Sequence, residues 1–406
     1  MSDPHRVLAR DVPAGADDPI FALNAEARRR AAAGESIVNA TLGALVDDEG
    51  RLAVLPSVVE ALREAPIERA AGYAPIAGEP NFLRLATLDA LGDGPLVEGA
   101  TAVATPGGSG ALHLAISNFL APGQHLLTSR HYWGPYETMA SHAGRAVRTF
   151  ETFDERLRFD AAGFGAALAR SVDEQGRALV VLNFPCHNPT GYSLDDDEWR
   201  AVADAVRDAG RRAPVTVVID LAYAAFGGAR AQSWRAPVAS MLDRAVVLVA
   251  WTASKAFTQY GARVGALIAV ADDEATRERI ASLLSVACRG TWSNCNHLGQ
   301  LVVGELLADP AKRARIEEER AVLVDLLDAR VAAFRQAAAA RGVRHPRYEG
   351  GFFVAVPCAD GARTAARMRD DGVFVVPIDG AVRIALCSTA VADVDRAVDS
   401  LAAARE

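Results

Sequence analysis

The segment "WTASKAFTQYGAR" (251–263) holds one of only two lysines in the chain, Lys255 and Lys312. Arginine carries nearly every other positive charge. Lys312 lies in "DPAKRARIEEER", a helical start with a solvated charged face. Lys255 differs, because it follows the apolar run "AVVLVAW" (245–251) and stands between Ser254 and Ala256, where a chain leaves the end of a sheet. Guanidinium keeps its proton, so arginine cannot serve where an amine must lose one and attack a carbonyl. Lys255 is therefore a candidate Schiff-base nucleophile.

Other strand ends carry matching groups. "ATPGGSGALHLAISNF" (104–119) runs from a strand through glycines into a helix, so the N–H groups at Gly107, Gly108 and Ser109 could cradle a phosphate. A plain tight turn with Ser109 as helix cap would look the same, and the lysine of a Walker loop is missing. "NFPCHNPTGYS" ends a strand near Asn188, which could also be a turn starter. "VTVVIDLAY" puts Asp220 at the end of an apolar run, with Tyr223 three residues on. A carboxylate there needs a cation or serves as a helix cap. Arg263, eight residues past Lys255, could fork a phosphate. An amine nucleophile, a phosphate cradle with an arginine, and a carboxylate able to hold a pyridinium proton are together what pyridoxal 5′-phosphate requires.

These residues must be held by a sheet. Seven apolar runs, "TAVATPGG", "HLLTSRHYW", "AVRTFETF", "ALVVLNFP", "VTVVIDLAY", "AVVLVAWTASK" and "VGALIAVAD", predict a buried, mainly parallel sheet. The last two are joined by a loop alone, which predicts an antiparallel or unusually connected pair. A long helix is expected from Pro310 to about Gly342, then short strands in "GGFFVAVP", "GVFVVPI" and "VRIALC". The fold class is α/β: a large domain with a mainly parallel seven-stranded sheet, plus a smaller α+β domain. The expected division is 1–48 as N-terminal arm and part of the small domain, 49–315 as the large domain, and 316–406 as the C-terminal small domain. Residues 1 to about 18 read as a loose arm.

Bulk properties narrow the function classes. The 406 residues carry a formal charge of −8 and no basic patch, which argues against nucleic acid. No run approaches transmembrane length and no apolar leader opens the chain, so a cytoplasmic protein without a membrane partner is expected. The five cysteines have no metal-ligand spacing and read as reduced thiols; no metal site is expected. No GxGxxG follows the first strand, which disfavours a nicotinamide dehydrogenase. A non-catalytic cofactor-binding regulator would need a DNA-binding segment, and none is legible.

In order along the chain, "NATLGALVDDEG", "YAPIAGEPNF", "GGSGAL", "HNPTG", "DLAY", "SKAFTQYGARVG", "RGTWSN" and "VRIAL" resemble the fold type I, class I/II aminotransferases of the aspartate and aromatic branch. The resemblance covers nearly the whole chain from about Pro19. It implies a homodimer with shared active sites and a pyridoxal 5′-phosphate cofactor in internal aldimine linkage to Lys255. The reaction implied is transfer of an amino group between a dicarboxylic or aromatic L-amino acid and a 2-oxo acid. It further implies that Asp220 pairs with the pyridine nitrogen, while Asn188 and Tyr223 bond the phenolic oxygen. Gly107, Gly108, Ser109, Thr252 and Arg263 would hold the phosphate, with Tyr73 reaching it from the neighbouring subunit. Trp133 would stack on the ring, and Arg383, helped by the backbone at Gly43, would clamp the substrate α-carboxylate. Arg289 would read a distal carboxylate across the dimer interface. Taken alone, Arg383 reads as a strand-surface arginine and Arg289 as a solvated charge. Tyr136 stands where the family often has a histidine behind the carboxylate, and Thr41 replaces a glycine. The same scaffold and lysine also serve elimination, replacement and C–C bond-forming enzymes.

Overall fold

The computed structural model describes residues 19–405; the expected N-terminal arm lies outside them. Twelve strands are described: β1 (Val38–Asn39), β2 (Ala100–Thr105), β3 (His125–Ser129), β4 (Ala146–Phe150), β5 (Ala178–Leu182), β6 (Val215–Asp220), β7 (Ala245–Thr252), β8 (Gly265–Val270), β9 (Phe353–Pro357), β10 (Val373–Phe374), β11 (Val376–Ile378) and β12 (Ala381–Ala385). All seven runs named from the sequence are the strands β2 to β8. They form one sheet in the order β2-β8-β7-β6-β5-β3-β4.

The central runs, β5 to β8, are nearly continuous in apolar residues because both faces are covered, whereas the edge strand β4 is partly exposed. Val217 and Ile219 fall in one hydrophobic cluster, and Val218 between them falls in the other. Strand alternation thus sends successive side chains to opposite faces, each packed under helices. Strand β8 alone runs against its neighbours, antiparallel to both β7 and β2. The cause is local. Only residues 253–264 join β7 to β8, too few for the helical crossover a parallel pair requires. One short helix, Ala253–Ala256, fits into that connection.

The helix Pro310–Ala340 leaves this sheet, capped by the Asp309 side chain on the N–H groups of Ala311 and Lys312. Beyond it, β9, β11 and β12 make a three-stranded antiparallel sheet. The run "GVFVVPI" gives two strands rather than one: β10 pairs in parallel with β1 near the N-terminus, and β11 pairs with β12. Val375 is where the chain changes sheet. A separate cluster around Phe334, Val354, Val382 and Leu401 takes in Val38 and Ala40 from the N-terminal side. A smaller one, with Leu45, Tyr223, Phe352, Phe353 and Cys387, joins the two sheets beside the site.

Candidate active site

The carboxyl ends of β5, β6 and β7 converge, as ligand-binding ends do in open α/β sheets. Asn183 follows β5, Asp220 ends β6 and Thr252 ends β7. They line a cavity of ≈ 180 Å³ together with Gly108, Ser109, Trp133, Asn188, Tyr223, Ser254, Lys255 and Arg263.

Register builds the cradle at one end. Thr105, Gly265 and Thr252 lie side by side across β2, β8 and β7. Gly265 lies so close to the turn after β2 that a Cβ on it would stand 2.6 Å from the Gly107 carbonyl carbon. Gly107 takes a positive φ of 72°, and a side chain there would run into the Arg263 guanidinium. The helix Gly107–Phe119 begins with no side-chain cap, and Gly108 and Ser109 of its first turn line the cavity. Arg263 is held by the Pro106 carbonyl at 3.0 Å and the Ser254 hydroxyl at 3.1 Å. Helix dipole, hydroxyl and guanidinium together make this corner chemically suited to an anion.

Asp220 lies at the other end, buried, with Tyr136 Oη donating to Oδ2 at 2.8 Å and the Ala222 N–H donating to Oδ1 at 3.1 Å. Burial pushes its carboxyl up; those two donors and the Lys255 ammonium act against burial. The Asn183 amide holds the Asp220 carbonyl at 2.9 Å, and its oxygen accepts from the Asn188 N–H at 2.8 Å. Asn188 in turn reaches the Tyr223 hydroxyl at 3.4 Å.

Lys255 stands between them on the first turn after β7. Burial pushes its amine down to about 8, with the Arg263 charge in support and Asp220 opposing. Lys312 does the reverse: it is solvent-facing, paired with Glu305, and its amine is raised. Trp133 walls the cavity and meets Tyr136 edge-on at 5.8 Å. Arg383 lies one aromatic layer away. Its guanidinium is 4.4 Å over the Phe353 ring, which packs edge-on against Tyr223 at 5.5 Å. It also donates to the Thr41 carbonyl at 2.6 Å. Gly43 is pressed on Phe353, where a Cβ would stand 2.6 Å from the ring.

Of the residues singled out in the sequence, Gly108, Ser109, Trp133, Asn188, Asp220, Tyr223, Thr252, Lys255 and Arg263 line the cavity, Gly107 adjoins it against Arg263, and Arg383 and Gly43 lie beyond the Phe353 ring. Tyr73 is 93% exposed, and Arg289 is on the exposed last turn of the helix Glu274–Thr291, donating to Ser293 at 2.7 Å. Neither lines the cavity of its own chain. Asn183, Ser254 and Tyr260 were missed, although a lone polar residue closing an apolar strand was a usable signal for Asn183.

A mostly parallel α/β sheet that presents a buried lysine, a buried carboxylate and an anion cradle at its strand ends defines a class of lysine-dependent cofactor enzymes. Residues 35–401 match the aminotransferase class I and II family. The chain belongs to that family. It is 32% identical over 305 residues to an aromatic-amino-acid aminotransferase of Paracoccus denitrificans, covering 74% of this chain and 75% of that one. An aspartate aminotransferase of Pseudomonas aeruginosa is 30% identical over 334 residues, covering 79% and 81%. Among solved structures, an aminotransferase from Anaerococcus prevotii superposes with a TM-score of 0.91 at 28% identity, covering 99% of both chains. An aromatic-amino-acid aminotransferase from Burkholderia pseudomallei, covalently bound to pyridoxal phosphate, superposes at 0.81 with 26% identity, covering 98% and 99%. The fold is that of the class I and II aminotransferases.

Proposed function

We propose that this chain is a pyridoxal 5′-phosphate-dependent aminotransferase, working as a cytoplasmic homodimer on dicarboxylic or aromatic L-amino acids and 2-oxo acids. The observation that carries the reading is the meeting, in one cavity, of Lys255, Asp220, Gly108, Ser109 and Arg263, with Gly107 packed against the Arg263 guanidinium beside it. The donor set fits the cofactor. The uncapped helix start and Arg263 suit a phosphate, Asp220 suits a protonated ring nitrogen, and Asn188 with Tyr223 suits a phenolic oxygen.

When bound, pyridoxal phosphate supplies an electron sink that acidifies the Cα–H of an amino acid. Lys255 would hold the cofactor through its amine and, once that amine is free, would take up the proton leaving the substrate Cα. Its lowered basicity leaves a useful fraction of free amine near neutral pH. Asp220, which accepts from the Tyr136 hydroxyl and the Ala222 N–H, would be the carboxylate partner of a protonated ring nitrogen. Thr252 would add its hydroxyl to the phosphate corner, and Trp133, which walls the cavity, would help to exclude water from it. Arg383, steadied by Phe353 and Thr41, takes the α-carboxylate beside Gly43. Tyr73 and Arg289 act in the neighbouring subunit's site, on the phosphate and on a distal carboxylate. Their exposure supports this, as does the apolar surface at Ile67 and Val286, 65% and 72% exposed. The division into 1–48, 49–315 and 316–406 is supported by the separate hydrophobic clusters around the two sheets, although the long helix runs through position 315 unbroken.

The test is a half-reaction screen. Purified protein is mixed with single amino acids, and the visible absorbance of the bound cofactor is followed. Transamination converts it stoichiometrically to the amine form, reversed by a 2-oxo acid. An elimination, replacement or C–C bond-forming enzyme would return to the starting spectrum with product released, and that result would reject the transaminase reading.

A further inference from the structure

Tyr260 touches three parts of the site at once. Its ring centroid is 4.6 Å from Lys255 Nζ, closer than the Tyr223 ring at 5.8 Å. Its hydroxyl oxygen accepts the Leu45 N–H at 2.9 Å. Its carbonyl accepts from Arg263 at 3.1 Å, so the same residue also braces the anion cradle.

The Leu45 bond has a wider reach than its length implies. Leu45 belongs to the stretch 41–46, which passes the Arg383 guanidinium at the Thr41 carbonyl and is pinned farther on by the Val46 N–H to the Cys387 carbonyl at 3.0 Å. Among the described residues, Tyr260 makes the hydrogen bond that ties this stretch to the loop 253–264. An aromatic face within about 6 Å of an ammonium favours the charged form and fixes its direction. A buried backbone N–H deprived of its acceptor would move to find another.

Resting on the aminotransferase reading, we propose that Tyr260 is a positioning residue that couples the seat of the Lys255 amine to the stretch 41–46 beside Arg383. The ring sets where the amine rests and supports its charge. The hydroxyl oxygen holds Leu45, and through it the Thr41 carbonyl, in register with the guanidinium that receives a carboxylate. Capture of a carboxylate at Arg383 and placement of the amine are thereby parts of one braced unit.

Two substitutions separate the halves. Tyr260→Phe keeps the ring and removes the oxygen; Tyr260→Leu removes both. Two quantities are measured on the full chain: the pH dependence of the rate at which added pyridoxal phosphate attaches to cofactor-stripped protein, and KM and kcat for amino acids. Tyr260→Phe should raise KM about three- to tenfold with kcat within about twofold, and leave the attachment midpoint in place. Tyr260→Leu should raise KM similarly and also move the midpoint down by about half a pH unit, because the ammonium loses its aromatic support. If Tyr260→Leu does not fold, Tyr260→Met provides a ring-free side chain of similar reach. An unmoved midpoint in the ring-free variant, or an unchanged KM in Tyr260→Phe, overturns the proposal while leaving the aminotransferase reading standing. A wild-type protein whose borohydride-fixed cofactor maps away from Lys255 defeats both.

Discussion

Tyr136 Oη donates to Asp220 Oδ2 at 2.8 Å, across 84 positions of sequence. Burial pushes the Tyr136 phenol well up, so it stays a neutral hydrogen-bond donor, and a phenol has no cationic form to offer the carboxylate. A histidine in its place could do both.

Tyr136→Phe should therefore raise the Asp220 carboxyl further, since one of the groups opposing burial is gone. Loss of a charge-assisted bond of about 1.5–3 kcal/mol predicts a drop in kcat of roughly 10- to 100-fold. The acid limb of the pH–rate profile should move to higher pH, because the ionised carboxylate is then lost earlier as pH falls. An unmoved limb would show that Tyr136 only fills space.

The lowered basicity of Lys255 has a consequence for stability without cofactor. Its amine falls from 10.5 to about 8 in the folded state, so the unfolded chain binds more protons between those values. Stability from this group therefore rises with pH across that window. Below it, burying the charge costs on the order of 3 kcal/mol. Compared with cofactor-free wild type in denaturant titrations, Lys255→Ala should show a relative stability advantage that shrinks by that amount from about pH 7 to about pH 11. The same variant should have no turnover.

Gly265→Ala tests the register of the cradle. A methyl placed 2.6 Å from the Gly107 carbonyl carbon must push β8 and the anion-binding turn apart. Overpacking of this kind costs about 1–3 kcal/mol, and we expect cofactor affinity, read by equilibrium dialysis, to fall at least about tenfold. Gly290→Ala, with open space around its Cβ, is the matched control and should leave affinity unchanged.

Arg289 and Arg383 should separate by substrate class. Arg383→Ala should depress kcat/KM for every amino acid. Arg289→Ala should do so for aspartate and glutamate alone, by roughly 2–5 kcal/mol in transition-state terms. Equal losses on aromatic and dicarboxylic substrates would assign Arg289 a structural role.

The central strands β5 to β8 were legible because they are covered on both faces, so that burial wrote a nearly unbroken apolar run into the sequence. Lys255 was legible through its rarity. What escaped depends on partners far along the chain: Asn183 acts on a carbonyl 37 positions away, and Tyr260 on an N–H 215 positions away. No local pattern marks such a residue as different from any polar core side chain. The division of "GVFVVPI" between two sheets escaped for a related reason. Its first strand pairs with β1, a two-residue element too short to leave a periodic signal.

The groups assigned to the cofactor's phosphate and ring come from one contiguous block, Gly107 to Arg263, apart from the contribution expected of a second copy. Those assigned to the substrate's α-carboxylate, Gly43 and Arg383, come from its two flanks. The division is a form of modularity. A chimera that keeps the central block and exchanges both flanks for those of a relative should inherit the relative's preference for amino acids. It should keep this protein's cofactor spectrum, so that one half of the recognition can be rewritten while the other is left untouched.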